Sequence, residues 1–96
     1  MTALNDESHR ADLINRLKRA EGQLRGVQRM IEEAQPCRDI LSQLTAVRKA
    51  LDSACVRMTA CYMGQELHSR LNLDDRKGEE LDAALEELQG MLSKLK

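Results

Sequence analysis

The fold of this chain is decided by residues 13–51, which read LINRLKRAEGQLRGVQRMIEEAQPCRDILSQLTAVRKAL. In the first half of this stretch, apolar residues recur at alternating spacings of four and three: Leu13, Leu17, Ala20, Leu24, Val27 and Ile31. That spacing is typical of an α-helix with one apolar seam. It predicts a first helix over residues 10–33, with Asp6 or Ser8 as the residue that caps its start.

Pro36, the only proline, divides the pattern into two helices. Proline breaks the interior of a helix but is tolerated in its first turn, so a second helix is expected to open here and to run from Arg38 to about Leu71. Its apolar stripe keeps the same spacing: Ile40, Leu44, Val47, Leu51, Ala54, Met58 and Cys61. Two long helices joined by a short turn predict an antiparallel hairpin.

A third, shorter helix is predicted after a polar break at residues 72–78. Its stripe continues to the C-terminus: Leu81, Leu85, Leu88, Leu92 and Leu95. The 96 residues make a single domain, 1–96, in which residues 1–9 are expected to form a flexible N-terminal tail. Phe and Trp are absent and Tyr62 is the only aromatic residue, so the core is aliphatic and the fold class is all-α.

A hairpin of two amphipathic helices leaves part of its apolar face uncovered. A chain this short buries only about 60% of the surface of its unfolded state, which makes association an expected source of stability. We therefore predict that two hairpins pair into an antiparallel four-helix bundle, and that the unit is a dimer or a dimer of dimers.

Several classes of protein are excluded by what the sequence lacks. No apolar run approaches the roughly 20 residues of a membrane span and the start is polar, so the expected location is the cytoplasm. In that reducing compartment, three cysteines indicate free thiols or ligands rather than a disulfide framework. The sequence has no CxxC, HExxH or glycine-rich phosphate loop, and it is not expected to be an enzyme.

The net charge of −1 conceals an uneven distribution. Residues 10–70 carry eleven Lys and Arg against seven Asp and Glu, whereas residues 74–87 carry seven acids and two bases. The basic residues are expected to line a face that binds the phosphates of duplex DNA: Arg16, Lys18, Arg19, Arg25, Arg29, Arg48 and Lys49. The alternative is the solvated surface of a structural or adaptor bundle that does not bind DNA.

Cys37 is the leading candidate for a sensing residue. It follows Pro36 at the N-terminus of the second helix, where unpaired N–H groups and the helix dipole favour a thiolate that binds metal or attacks an electrophile. Cys55, Tyr62 and Glu66 share one face of that helix because they are spaced by seven and four residues.

Cys61 and His68 continue the apolar stripe of the second helix, where side chains pack into a core. A cysteine on such a stripe is more often a small apolar residue than a ligand.

Residues 13–27, followed by Arg29 to Glu33, and residues 37–51 resemble the first two helices of the CsoR/RcnR/FrmR family. Those proteins are bacterial repressors that sense copper, nickel or cobalt, and formaldehyde. The resemblance implies an all-α homotetramer without a helix-turn-helix, which represses its genes until an inducer loosens it from operator DNA. It also implies that Arg16 contacts DNA with Lys18 and Arg19 in support, and that Glu80 links the sensing site to the third helix.

The same resemblance does not identify the inducer. In copper sensors of the family, the cysteine at the Cys37 position is joined by a histidine and a second cysteine from across the dimer. Tyr62 and Glu66 stand at those two positions here, and neither replaces the soft ligands that Cu(I) prefers. The usual Cu(I) site is therefore incomplete.

The other branches of the family also match in part. Formaldehyde sensors have glutamate at the Glu66 position, but Thr2 stands where their proline would be. Nickel and cobalt sensors use a histidine near the N-terminus, a role open to His9. The inducer is accordingly either a transition metal ion, copper or nickel, with Cys37, Cys55 and His9 as candidate ligands, or an electrophile or persulfide that needs no cofactor.

Overall fold

A computed structural model describes residues 3–94, which form three α-helices. They are α1 (Glu7–Glu32), α2 (Cys37–Leu71) and α3 (Asp75–Lys94). The long helix α2 packs against both of the others, and α1 runs antiparallel to it. The predicted all-α class and the hairpin with a shorter third helix are confirmed. No helix within the described residues is long and apolar enough to cross a membrane.

The first helix starts earlier than predicted, inside the segment expected to be a tail. The carboxylate of Asp6 accepts hydrogen bonds from the N–H groups of Ser8 and His9 at 2.8 and 3.1 Å, which caps the helix. A further hydrogen bond from the Ser8 hydroxyl is the main reason why the pKa of Asp6 lies below its ordinary value.

The side chain of Gln65 links the chain ahead of α1 to α2 by two hydrogen bonds. The amide of Gln65 donates to the carbonyl of Ala3 at 2.7 Å and accepts from the N–H of Asn5 at 3.0 Å. Residues 1 and 2, which include the predicted position of Thr2, lie outside the described residues. Of the predicted tail, residues 3–5 lie along α2 and residues 7–9 are helical.

The turn between α1 and α2 is closed by backbone hydrogen bonds. The N–H of Ala34 donates to Ile31 at 3.1 Å and the N–H of Gln35 donates to Met30 at 2.9 Å, which is the pattern of a Schellman motif. Ala34 has φ 55°, a left-handed conformation that such a turn normally assigns to glycine. Pro36 follows as the N-cap of α2, one position before the first helical turn.

The predicted break before α3 is too long, because the helix begins at Asp75 and already contains Gly78. Asp74 supplies the start: its carboxylate accepts from the N–H of Lys77 at 2.8 Å, and its carbonyl accepts from the N–H of Gly78 at 2.8 Å. Gly78 is buried under His68, where an added Cβ would lie 2.7 Å from Cε1 of the imidazole. Close approach of the two helices therefore explains a glycine that looked like a loop residue.

The core between α1 and α2 is one column of side chains from each helix. It consists of Leu13, Ala20, Val27, Val47 and Ala54, each 3–8% exposed. A second column of the same predicted stripes is 38–58% exposed: Leu17, Leu24, Ile31, Leu44, Leu51 and Met58. The radius of gyration is 17.3 Å, against about 13 Å for a compact domain of this length. A single chain thus leaves half of its apolar seam uncovered.

Candidate functional site

Cys37 is the first residue of α2, and its side chain is exposed. Leu44, Leu51 and Met58 follow it at intervals of seven residues, so all four side chains share one face of the helix. Those three apolar residues belong to the exposed column described above. The candidate sensing thiol therefore stands at the end of the uncovered apolar face.

Cys55, Tyr62 and Glu66 lie further along the same helix, on one face of it, as their spacing predicted. Cys55 and Tyr62 are exposed, and Glu66 is half-buried and accepts a hydrogen bond from Arg70 at 3.1 Å. Along the axis of α2, Cys37 is roughly 37 Å from Tyr62 at the rise of an α-helix. Within residues 3–94, no group of three or more His, Cys, Asp or Glu side chains is placed to hold a metal ion. A site that joins Cys37 to this cluster requires a second chain.

Cys61 and the two histidines line a separate groove of about 660 Å³, between the start of α1, the end of α2 and α3. Cys61 is half-buried rather than part of the core, and burial, with the nearby charges of Asp6 and Asp12, raises the pKa of its thiol. His68 lies 3.0 Å from a carboxylate oxygen of Asp82 on α3. His9, a predicted metal ligand, is 4.0 Å from the carboxylate of Asp6.

The basic residues do not form the single solvent face that was predicted. Lys18 and Arg25 are exposed on one face of α1, seven residues apart, together with Arg29. Arg16 lies on a different face, because residues two apart on a helix point in different directions. Its side chain is only 30% exposed, and its Nε donates to both carboxylate oxygens of Asp12 at 3.1 and 3.2 Å.

The other predicted DNA contacts are open to solvent. Arg19 is exposed on α1, and Arg48 and Lys49 are exposed on α2. Ser53, which occupies a family position that is basic in some members, is half-buried. Their contact with DNA stays a prediction.

The sequence did not predict a role for Arg57. From α2, its Nη1 lies 3.4 Å from the Asp12 oxygen that also accepts from Arg16. The pairing of Asp12 with Arg16 has a sequence signal, since the two residues are four apart on one helix. Arg57 lies 45 residues away from Asp12, and only the packing of the hairpin shows that they meet.

Glu80, the predicted link between the sensing site and α3, is exposed and lies 3.6 Å from Arg76 on the preceding turn of the same helix. Its link to the sensing site stays a prediction.

Comparison with known proteins identifies the family. Residues 9–94 match the family described as metal-sensitive transcriptional repressor. The chain is 44% identical over 59 residues to the copper-sensing transcriptional repressor RicR of Mycobacterium tuberculosis, which covers 60% of this chain and 62% of that protein. It is 46% identical over 46 residues to the copper-sensing transcriptional repressor CsoR of Bacillus subtilis, which covers 48% of this chain and 46% of that protein.

Each of these alignments spans less than two thirds of the relative's length. No solved structure matches the chain significantly. The family match, by contrast, extends from the first turn of α1 to the last residue of α3 and confirms the resemblance seen in the sequence. The family consists of transcriptional repressors, in agreement with the prediction that the chain is not an enzyme. The chain belongs to the family of metal-sensitive transcriptional repressors.

Proposed function

We propose that this chain is a cytoplasmic, DNA-binding transcriptional repressor that leaves its operator when an inducer acts at Cys37. The observation that carries the proposal is the family match over residues 9–94. The exposed basic side chains of α1 and α2 supply the phosphate-binding surface that duplex DNA requires. Its partners are double-stranded operator DNA and further copies of the same chain.

The uncovered apolar face supports pairing into a homodimer, and two dimers then form a homotetramer. Burial of the exposed column of α1 and α2 against a second hairpin would complete a four-helix core. If two α2 helices lie antiparallel across a two-fold axis near Ala50 and Leu51, Cys37 of one chain comes opposite Tyr62 and Glu66 of the other. That arrangement places the candidate sensing site at both ends of the interface.

The inducer belongs to one of two chemical classes. One is a transition metal ion, copper or nickel, with Cys37, Cys55 and His9 as candidate ligands. The other is a thiol-reactive molecule such as a persulfide or formaldehyde, with no cofactor. A phenol and a carboxylate at the Tyr62 and Glu66 positions are poor ligands for Cu(I), so the usual copper site is incomplete.

The proposed mechanism is a shift between two shapes of the oligomer. Reaction or ligation at Cys37 ties the hairpin turn of one subunit to α2 of its partner and favours a shape whose basic faces no longer fit the duplex. An inducer shifts this equilibrium only by its different affinity for the two shapes, typically about 1–3 kcal/mol. Glu80 is the proposed link through which α3 follows that shift.

The test is fluorescence anisotropy of a labelled duplex carrying the protein's own promoter. We expect tight binding that weakens with salt and is reversed by one of Cu(I), Ni(II), Zn(II), a persulfide or formaldehyde. Cys37→Ala should bind DNA and fail to respond, whereas Cys61→Ala, the matched control in the separate groove, should respond normally. A normal response of Cys37→Ala would contradict the sensing role, and absence of duplex binding in dilute buffer would favour a structural bundle.

A further inference from the structure

Asp12 is a carboxylate shared by two arginines from different helices. Arg16, one turn later on α1, donates its Nε to both oxygens at 3.1 and 3.2 Å. Arg57 on α2 brings Nη1 to within 3.4 Å of one of these oxygens. The side chains of Asp12, Arg16 and Arg57 are 41%, 30% and 38% exposed. Two positive charges therefore compete for one negative charge at the edge of the hairpin.

This ionic group lies on the side of the hairpin opposite the uncovered apolar face. On α1, Arg16 follows buried Leu13 by three residues and exposed Leu17 follows it by four, so the two flank Leu13 on opposite sides. On α2, Arg57 and Met58 stand in the same relation to buried Ala54. Pairing through the apolar face would leave the side chains of Asp12, Arg16 and Arg57, which are 30–41% exposed, outside that interface.

The guanidinium of Arg57 is partly buried in the contact between the helices. Its Nε is closed off from solvent and has no hydrogen-bond partner among residues 3–94. A buried donor without a partner costs free energy, so Nε contributes nothing to holding the side chain in place. Its outer nitrogen reaches Asp12, and any movement of α2 along α1 changes that distance.

Arg16 is the residue expected to contact DNA, and Asp12 competes with phosphate for it. When Arg16 turns to the DNA backbone, it leaves Asp12 as a negative charge close to the phosphates. With Arg57 in place, that carboxylate stays neutralised, and its hold on Arg16 is weaker because Arg57 shares one oxygen. Without Arg57, Asp12 would both retain Arg16 and repel the duplex.

We propose that Arg57 is a positioning residue that releases Arg16 from Asp12 for DNA binding. The proposal rests on the proposed function and assigns part of its regulation to one contact between helices. Arg57 is on the same helix as Cys55 and Tyr62. If a displacement of α2 at the sensing site moves Arg57 away from Asp12, Arg16 returns to the carboxylate of Asp12. The affinity for DNA then falls.

The test is a double-mutant cycle on the affinity of the full-length protein for a labelled promoter duplex, with Arg57→Gln, Asp12→Asn and the double variant. We expect Arg57→Gln to weaken binding by about three- to tenfold for a dimer that carries two such groups. Asp12→Asn should tighten it by a similar factor. In the Asp12→Asn background, Arg57→Gln should have no further effect, because there is no carboxylate left to neutralise.

The salt dependence separates positioning from direct contact. If Arg57 only positions Arg16, Arg57→Gln makes the slope of log affinity against log salt shallower, because Asp12 retains Arg16, and it leaves the slope unchanged in the Asp12→Asn background, where Arg16 is free. If Arg57 itself binds phosphate, Arg57→Gln makes the slope shallower in both backgrounds, by about one for each phosphate that the variant no longer binds. An equal reduction of the slope, or an equal loss of affinity, in the wild-type and Asp12→Asn backgrounds would overturn the proposal, as would unchanged binding by Arg57→Gln.

Two controls exclude indirect effects. Arg57→Lys, which keeps the charge, should restore most of the affinity, and Arg76→Gln on α3 removes the same charge far from Asp12 and should change affinity less than Arg57→Gln does. Thermal unfolding followed by circular dichroism identifies any variant that binds poorly because it has lost its fold. If the wild-type protein binds no duplex, the proposed function fails and this inference with it; normal binding with a cycle that shows no coupling overturns this inference alone.

Discussion

The two flanks of the α1–α2 hairpin are built on the same seven-residue repeat and have opposite chemistry. On one flank, the exposed side chains Leu17 and Met58 each lie four residues after a buried core residue. On the other flank, Arg16 and Arg57 each lie three residues after a buried core residue, and both contact Asp12. A difference of one position along the helix thus separates the surface expected to bind a second chain from the ionic group that holds Arg16, the residue expected to contact DNA. Variants placed on either flank, and at the two turns that hold the helices, test this division.

The largest effect is expected from a charge on the apolar flank. Leu51→Glu would bury a carboxylate at the centre of the proposed dimer, at a cost of about 3–5 kcal/mol when no partner is present. We expect the variant to sediment as a monomer in analytical ultracentrifugation. Gln23→Glu adds the same charge to an exposed polar position of α1 and should leave the assembly unchanged. An intact oligomer with Leu51→Glu would show that this flank is not the interface.

A smaller effect is expected at the turn that brings the two flanks together. Ala34 holds φ 55°, which costs a residue with a Cβ about 1–2 kcal/mol relative to glycine. Ala34→Gly should therefore stabilise the protein by about 1 kcal/mol in urea unfolding. Ala11→Gly, in the interior of α1, should destabilise it by about 0.5–1 kcal/mol. Loss of stability with Ala34→Gly would argue against the left-handed turn.

The junction of α2 with α3 gives a comparison of two glycines. Gly90 has open space around it, so Gly90→Ala should stabilise α3 by about 0.5–1 kcal/mol. At Gly78 a methyl group would displace the His68 ring and break its 3.0 Å contact with Asp82. We expect Gly78→Ala to lack the gain seen at Gly90, as measured by thermal unfolding. Equal stabilisation by both variants would show that α3 does not pack closely on His68.

The smallest effect concerns the thiols on the two sides of α2. Cys37 is exposed, whereas burial and the charges of Asp6 and Asp12 raise the pKa of Cys61. Iodoacetamide should modify Cys37 before Cys61 at neutral pH, as read by peptide mass spectrometry, because alkylation requires a thiolate. In urea, which unfolds the chain, Cys61 should react faster than it does in the folded protein. A folded protein in which Cys61 reacts first would contradict the assignment.

The raised pKa of Cys61 also makes the free energy of unfolding depend on pH. Because the folded state favours the neutral thiol of Cys61, this thiol stabilises the fold at a pH below the ordinary pKa of cysteine. This stabilisation is lost as the pH rises through the raised value. Cys61→Ala should reduce the fall in stability at alkaline pH, measured by unfolding in urea between neutral and alkaline buffer.

The elements predictable from the sequence are those governed by local rules. The four-and-three spacing and Pro36 place α1, α2 and the turn between them, because both depend on neighbouring residues alone. The predicted start of α3 is too late because Gly78 is typical of a loop, although Asp74 carries the capping signal of a helix start. The glycine is explained by the close approach of His68, a contact between helices that the sequence does not reveal.

The candidate site was predictable in part for the same reason. The shared face of Cys55, Tyr62 and Glu66 follows from helical spacing, and the structure agrees. The spacing could not divide the apolar stripe into a buried column and an exposed one, because that depends on which side α2 occupies. The meeting of Arg57 with Asp12 is a contact between helices, for which a single sequence carries no local signal.

The hydrogen bonds of the Gln65 amide with Ala3 and Asn5 fix where the N-terminal segment lies, which matters for work with this protein. Gln65 is the immediate neighbour of Glu66, so an affinity tag or reporter fused ahead of residue 3 would emerge beside the candidate sensing cluster. Recombinant protein used for inducer titrations is therefore better labelled at the opposite terminus, or freed of its tag by cleavage before any dose-response curve is recorded.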